Sequence, residues 1–188
     1  MLITLTVAWI TYLTLHSALA TEWVKKRIPL NPRNYRLWYA VLSTVGLIIL
    51  FWMVSSIPSP YFFVHDGWVR YVSLMLATFG AMTIQLSFRQ YPIKSFLGLA
   101  DEPKTRLKTT GLLQVVRHPI YAGTILITIG FFLFVPNWPT LISCGSILAY
   151  LPMGIYLEEQ KLISTYGDEY RMYRKQVPSI IPRWPWMK

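Results

Sequence analysis

The sequence is short of cysteine and short of charge. Its one cysteine, Cys144, excludes a disulfide framework, and its place within an apolar run makes it a packing residue. Only 14% of the residues are charged while 54% are apolar, a balance that a water-soluble domain of 188 residues does not need. Charged residues are missing from five apolar runs, 2–19, 37–57, 68–88, 120–135 and 140–157, where Arg70, near one end of the third, is the one exception. No Lys or Arg precedes the first run, so Ala18-Leu19-Ala20 reads as the end of a retained helix rather than a signal-peptide cleavage site. The stretch 58–67 is proline-rich and nearly uncharged, and offers no constellation for chemistry.

What is present explains these gaps. At 1.5 Å per residue the longer runs reach the roughly 30 Å of a bilayer core, and the fourth and fifth lie near the minimum. The net charge of +10 would suit nucleic acid if it were gathered on one face, but its distribution says otherwise. Of 18 Lys and Arg, five lie between runs one and two, six between runs three and four, and six after run five. That alternation predicts an integral membrane protein with the N-terminus outside and the C-terminus in the cytoplasm; a bacterial or archaeal plasma membrane is the expected location. The basic excess then serves topology and contact with anionic lipid, with no nucleic-acid partner.

Chemistry gathers around Arg117-His118-Pro119-Ile120-Tyr121-Ala122-Gly123. Pro119 fits the first turn of a helix, where a backbone N–H is unpaired anyway, and the other free N–H groups there favour an anion. Runs four and five form a hairpin across Pro136-Asn137-Trp138-Pro139. The outgoing arm covers roughly 26 Å and the returning arm roughly 29 Å, so Glu158-Glu159 comes back to the depth of His118. Residues 160–176, with Leu162, Ile163, Tyr166, Tyr170 and Tyr173 at helical spacing and Gly167 as an interruption, read as a helix along the interface. In run one, His16 and Ser17 lie at a depth where polar groups need partners, either for helix packing or for a site. Run two reads as packing alone.

Both ends of this hairpin together resemble the isoprenylcysteine carboxyl methyltransferase-like family of integral membrane methyltransferases. The resemblance rests on Thr109-Thr110-Gly111, on Arg117 to Gly123, on Glu158-Glu159-Gln160-Lys161-Leu162, on Tyr166-Gly167-Asp168-Glu169-Tyr170, and on Tyr173, Val177-Pro178 and Pro182. It covers about residues 105–183. It implies an all-α membrane protein, one domain over 1–188, with five transmembrane helices, a helical hairpin and a C-terminal interfacial helix enclosing a cytoplasmic-side cofactor site. The implied cofactor is S-adenosyl-L-methionine. The implied cofactor-binding residues are His118, Pro119, Ile120, Tyr121 and Glu158, with Thr105, Arg106, Leu107 and Lys108 from the preceding loop.

Two positions depart from the family. Leu113 replaces an aromatic cofactor contact, and Gly154 stands where the prenylcysteine enzymes carry a substrate-holding arginine. A hydrophobic or small methyl acceptor, thiol or carboxyl, is therefore expected. It would arrive from the membrane between the hairpin and the first helix, beside His16. If a general base is used, His16, His118 and Glu159 are the candidates; no metal is expected. A sterol-reductase-like NADPH enzyme and a non-enzymatic membrane protein of the same fold remain open alternatives.

Overall fold

A computed structural model describes residues 1–63, 67–89 and 106–183. Its elements are α1 (Leu2–Ala20), α2 (Glu22–Lys25), α3 (Pro32–Ser56), α4 (Gly67–Phe88), a 3-10 turn (Gly111–Gln114), α5 (Pro119–Phe134), α6 (Trp138–Tyr166) and α7 (Asp168–Gln176). No strand occurs among the described residues, and one isolated bridge joins Tyr61 to Asn137. Four helices, α1, α3, α4 and α6, are long and apolar enough to cross a membrane. Helix α5 has 16 residues, roughly 24 Å, and falls short of that length.

Helix ends follow local chemistry more than hydropathy. The Asn31 side chain accepts from the Asn34 N–H at 2.8 Å and Pro32 fills the first turn, so α3 begins five residues before its apolar run. Asn137 does the same for α6, accepting from the Thr140 N–H at 3.0 Å. Helix α6 then continues to Tyr166, well past the expected end at 157. Gly167, at φ +57°, breaks the chain direction there, so the predicted interfacial helix over 160–176 is two pieces. Its first half is the tail of α6, and its second is α7.

Far more large apolar side chains are exposed than buried. Ile3 is 81% exposed, Trp52 68% and Tyr71 76%, values that only a lipid surrounding makes affordable. Inside, Leu5 and Trp9 of α1 pack on Leu50 and Val54 of α3, and the Trp9 indole N–H donates to Ser143 of α6 at 2.8 Å.

Helices α4 and α5 are held by small residues. A methyl added at Gly80 would lie 2.5 Å from the Gly123 carbonyl oxygen, one at Gly123 2.6 Å from that of Gly80, and one at Gly130 2.6 Å from that of Ser73. Such close backbone approach gives dispersion contact that lipid cannot replace. Gly123→Ala should therefore cost about 1–3 kcal/mol, read as a lower thermal midpoint in detergent. Gly145→Ala, where the added methyl meets nothing within 4 Å, should lower it not at all. Equal midpoints for the two variants would contradict this account of the α4–α5 seam.

Candidate functional site

The inner ends of α5 and α6 meet around one buried carboxylate. Glu159 is 6% exposed. It accepts from Arg117 through Nη2 at 2.6 Å and Nε at 3.1 Å, lies 3.2 Å from His118 Nε2, and has Arg174 Nε at 3.3 Å. Arg117 spends its remaining donors on the chain that leaves α7: Nη1 donates to the carbonyls of Arg174 at 2.8 Å and Val177 at 2.6 Å. The backbone N–H groups of Arg117 and His118 donate to Pro178 and Ser179, at 2.9 and 3.0 Å. The C-terminal segment is thus bound across the entrance of α5 like an added strand, without forming a sheet. Tyr173 secures it from the other side by donating to the Leu113 carbonyl at 2.6 Å.

Glu158 behaves differently from its neighbour. Successive helix residues are turned by about 100°, so only one of an adjacent pair can face the clamp. The Glu158 side chain is 42% exposed, with Oε2 at 3.7 Å from His118 Nδ1 and the Tyr121 hydroxyl within reach of its carboxylate. His118 therefore stands between both carboxylates, and Tyr121 packs edge-on against it with ring centroids 5.6 Å apart. Tyr170 of α7 is 1% exposed, and its hydroxyl has no hydrogen-bond partner among the described residues. Burial first, and then the Glu159 anion, push its phenol well above the ordinary range.

The structure brings together His118, Pro119, Ile120, Tyr121, Glu158 and Glu159 from the two ends of the hairpin. Thr105 lies outside the described residues; Arg106 and Lys108 are exposed and Leu107 half-buried in the extended lead to the 3-10 turn. Leu113 is 3% exposed and packed into the turn that Tyr173 holds. Gly154 is buried, and a methyl added there would lie 3.4 Å from the Tyr121 hydroxyl and 3.5 Å from the Tyr150 ring. Those two tyrosines are the first groups that a side chain at this position would meet.

A second polar group forms in the inner half of the bundle. His16 of α1 lies 2.9 Å (Nε2) and 3.1 Å (Nδ1) from the Tyr39 hydroxyl and 3.1 Å from Ser43 Oγ, both on α3. Ser17 donates to the Tyr150 hydroxyl of α6 at 2.9 Å, and the Tyr12 hydroxyl donates to the Ser43 carbonyl at 3.1 Å. Run two is thus more than packing, because it delivers Tyr39 and Ser43 to His16. Tyr150 links the groups, with its ring 6.2 Å from that of His16 and next to Tyr121 across Gly154. Where an opening between α1 and the hairpin is expected, the hydrogen bonds Trp9–Ser143 and Ser17–Tyr150 join the two. On the other side of α1 a cleft of about 350 Å³ lies against α3.

A helical bundle, strand-free among the described residues, with lipid-facing walls and a buried Arg–His–Glu cluster at one end of a hairpin is, by class, an integral membrane protein with an enclosed polar site. The chain belongs to the NnrU protein family, which matches residues 4–184. It is 30% identical over 182 residues to "Methanethiol S-methyltransferase 1" of Bradyrhizobium diazoefficiens, covering 86% of this chain and 57% of that protein. It is 26% identical over 194 residues to the methanethiol S-methyltransferase of Mycobacterium tuberculosis, covering 90% and 73%. Over 80 residues it is 36% identical to the protein-S-isoprenylcysteine O-methyltransferase of Schizosaccharomyces pombe, covering 42% and 34%. The chain spans a little over half the length of the first of these relatives. No solved structure is significantly similar. The family resemblance drawn from the hairpin motifs is thereby established.

Proposed function

We propose that the protein is an S-adenosylmethionine-dependent methyltransferase acting on a hydrophobic or small acceptor, thiol or carboxyl, at the inner membrane face. The observation that carries this reading is the division of labour between two adjacent carboxylates. Glu159 is consumed by Arg117, His118 and Arg174, while Glu158 is left half-exposed beside His118 and Tyr121. The donor set fits the cofactor. Glu158 can accept from ribose hydroxyls or the ammonium, and Tyr121 offers an aromatic face. The free N–H groups at the start of α5, where His118 makes no side-chain cap, can meet a carboxylate. The cofactor supplies an electrophilic methyl on a sulfonium; the protein's part is alignment and exclusion of water. Similarity to named methyltransferases supports the same reading.

In this reading α5 is the fifth span, short because α4 and α6 shield it, and the clamp end of the hairpin faces the cytoplasm. Purified protein should bind S-adenosylmethionine and not NADPH in calorimetry; NADPH binding alone would point to a reductase instead. Lys175→Cys should be labelled by an impermeant thiol reagent only after the membrane is opened. Labelling in intact cells would reverse the orientation.

A further inference from the structure

We propose that Tyr170 is a further donor-binding residue, and that its hydroxyl meets the amino-acid end of the methyl donor. This rests on the methyltransferase reading. Tyr170 is 1% exposed, and its hydroxyl has no hydrogen-bond partner among the described residues. Folded proteins rarely leave a buried hydroxyl unpaired, because the group has given up its hydrogen bonds to water and gained none. A hydroxyl left so beside a binding site calls for a partner from outside the chain.

Its neighbours could have supplied a partner and do not. Glu159 spends Oε1 on Arg117 and His118, and turns Oε2 to Arg174. Glu158 turns Oε2 to His118 Nδ1. Tyr173, whose ring lies 5.9 Å from that of Tyr170, donates its own hydroxyl to the Leu113 carbonyl. Tyr173 thus anchors α7, and the Tyr170 hydroxyl is not needed for that.

Charge indicates which part of the donor it meets. The charged groups acting on the hydroxyl are Glu159, Arg117 and Glu158. Two carboxylates and a guanidinium suit an α-amino acid group, which carries an ammonium and a carboxylate, better than a neutral ribose or base. A phenol serves either charge, since its O–H donates to a carboxylate and its oxygen accepts from an ammonium.

The hydroxyl is sealed by its neighbours, so the contact forms as α7 turns. Gly167 is the joint. Its φ of +57° favours glycine, and a methyl added there meets nothing within 4 Å. Tyr170 follows Gly167 by less than one helical turn. A small rotation at Gly167 therefore moves the hydroxyl, while Arg117 keeps the far end of α7 through the Arg174 and Val177 carbonyls.

Tyr170→Phe in the full-length protein in detergent tests this, with ligand affinity read by calorimetry and the thermal midpoint read without ligand. The variant should bind S-adenosylmethionine and S-adenosylhomocysteine about tenfold more weakly. Methylthioadenosine, which lacks the amino-acid end, should bind both proteins equally. The ligand-free midpoint should stay or rise, because the lost hydroxyl had no partner. Unchanged affinity for the two amino-acid-bearing ligands, an equal loss for methylthioadenosine, or a lower ligand-free midpoint would overturn the assignment alone. Absence of S-adenosylmethionine binding to the unaltered protein would overturn the methyltransferase reading beneath it.

Discussion

Arg117→Leu is expected to destabilise the protein by about 3–5 kcal/mol, the largest stability effect of any single change considered, because it strands a buried carboxylate. Arg117 and Glu159 have side chains only 10% and 8% exposed, and three of the Arg117 contacts are 2.8 Å or shorter. Desolvating both ions is costly, and the gain comes from the full set of hydrogen bonds that one guanidinium makes to Glu159, Arg174 and Val177. Removing the cation leaves Glu159 with His118 and with Arg174, whose side chain is half-exposed and screened. It also frees the carbonyls that hold residues 174–177 over the entrance of α5. The thermal midpoint in detergent should fall by roughly 10 °C or more. The double variant Arg117→Leu/Glu159→Leu should recover part of that loss, since it removes the stranded charge with its partner. Additive losses in the double variant would mean that the pair contributes through packing alone.

How much of this was legible in the chain can be judged residue by residue. The apolar runs that became α1, α3 and α4 were visible because Lys and Glu are missing from them, and lipid as solvent makes that absence informative. The return of Glu158-Glu159 to His118 followed from helix rise alone, and the observed separations of 3.7 and 3.2 Å bear it out. Helix ends were less legible where a side chain overruled hydropathy. Asn31 started α3 early, and the Glu159 clamp carried α6 beyond its apolar stretch. The partners of Glu159 come from 41–42 residues upstream and, in Arg174, from beyond the break at Gly167, so no local pattern could assign them.

Tyr39 and Ser43 were missed for a different reason. Helices that are apolar all round carry no stripe to say which face meets which neighbour. Their hydroxyls therefore looked like ordinary members of run two. A signal did exist: Tyr35, Tyr39 and Ser43 recur every four residues on one side of α3. Tyr35 donates to the Leu19 carbonyl at 2.6 Å, and the other two reach His16, so the whole row turns toward α1.

The adjacent carboxylates of α6 give the sharpest separation of binding from folding. Glu158→Gln keeps size and shape and removes one negative charge from a side chain that is 42% exposed and carries no clamp. Its effect on the thermal midpoint should be small, because surface substitutions away from buried networks change stability by only about 0.5 kcal/mol. Its effect on donor binding should be large. A hydrogen bond to an ionised group contributes about 1.5–3 kcal/mol, which is roughly ten- to a hundredfold in the dissociation constant of S-adenosylmethionine. Glu159→Gln should show the reverse order, with a lower midpoint first and any loss of donor affinity following from it. The amide oxygen can still accept both Arg117 donors, which meet on Oε1, but it carries no charge toward Arg117 and His118, and an amide N–H in place of Oε2 faces the Arg174 donor. Calorimetry and thermal unfolding on the same two preparations decide the matter. Donor affinity unaltered in Glu158→Gln would take Glu158 out of the cofactor site, whatever Glu159→Gln does to the fold.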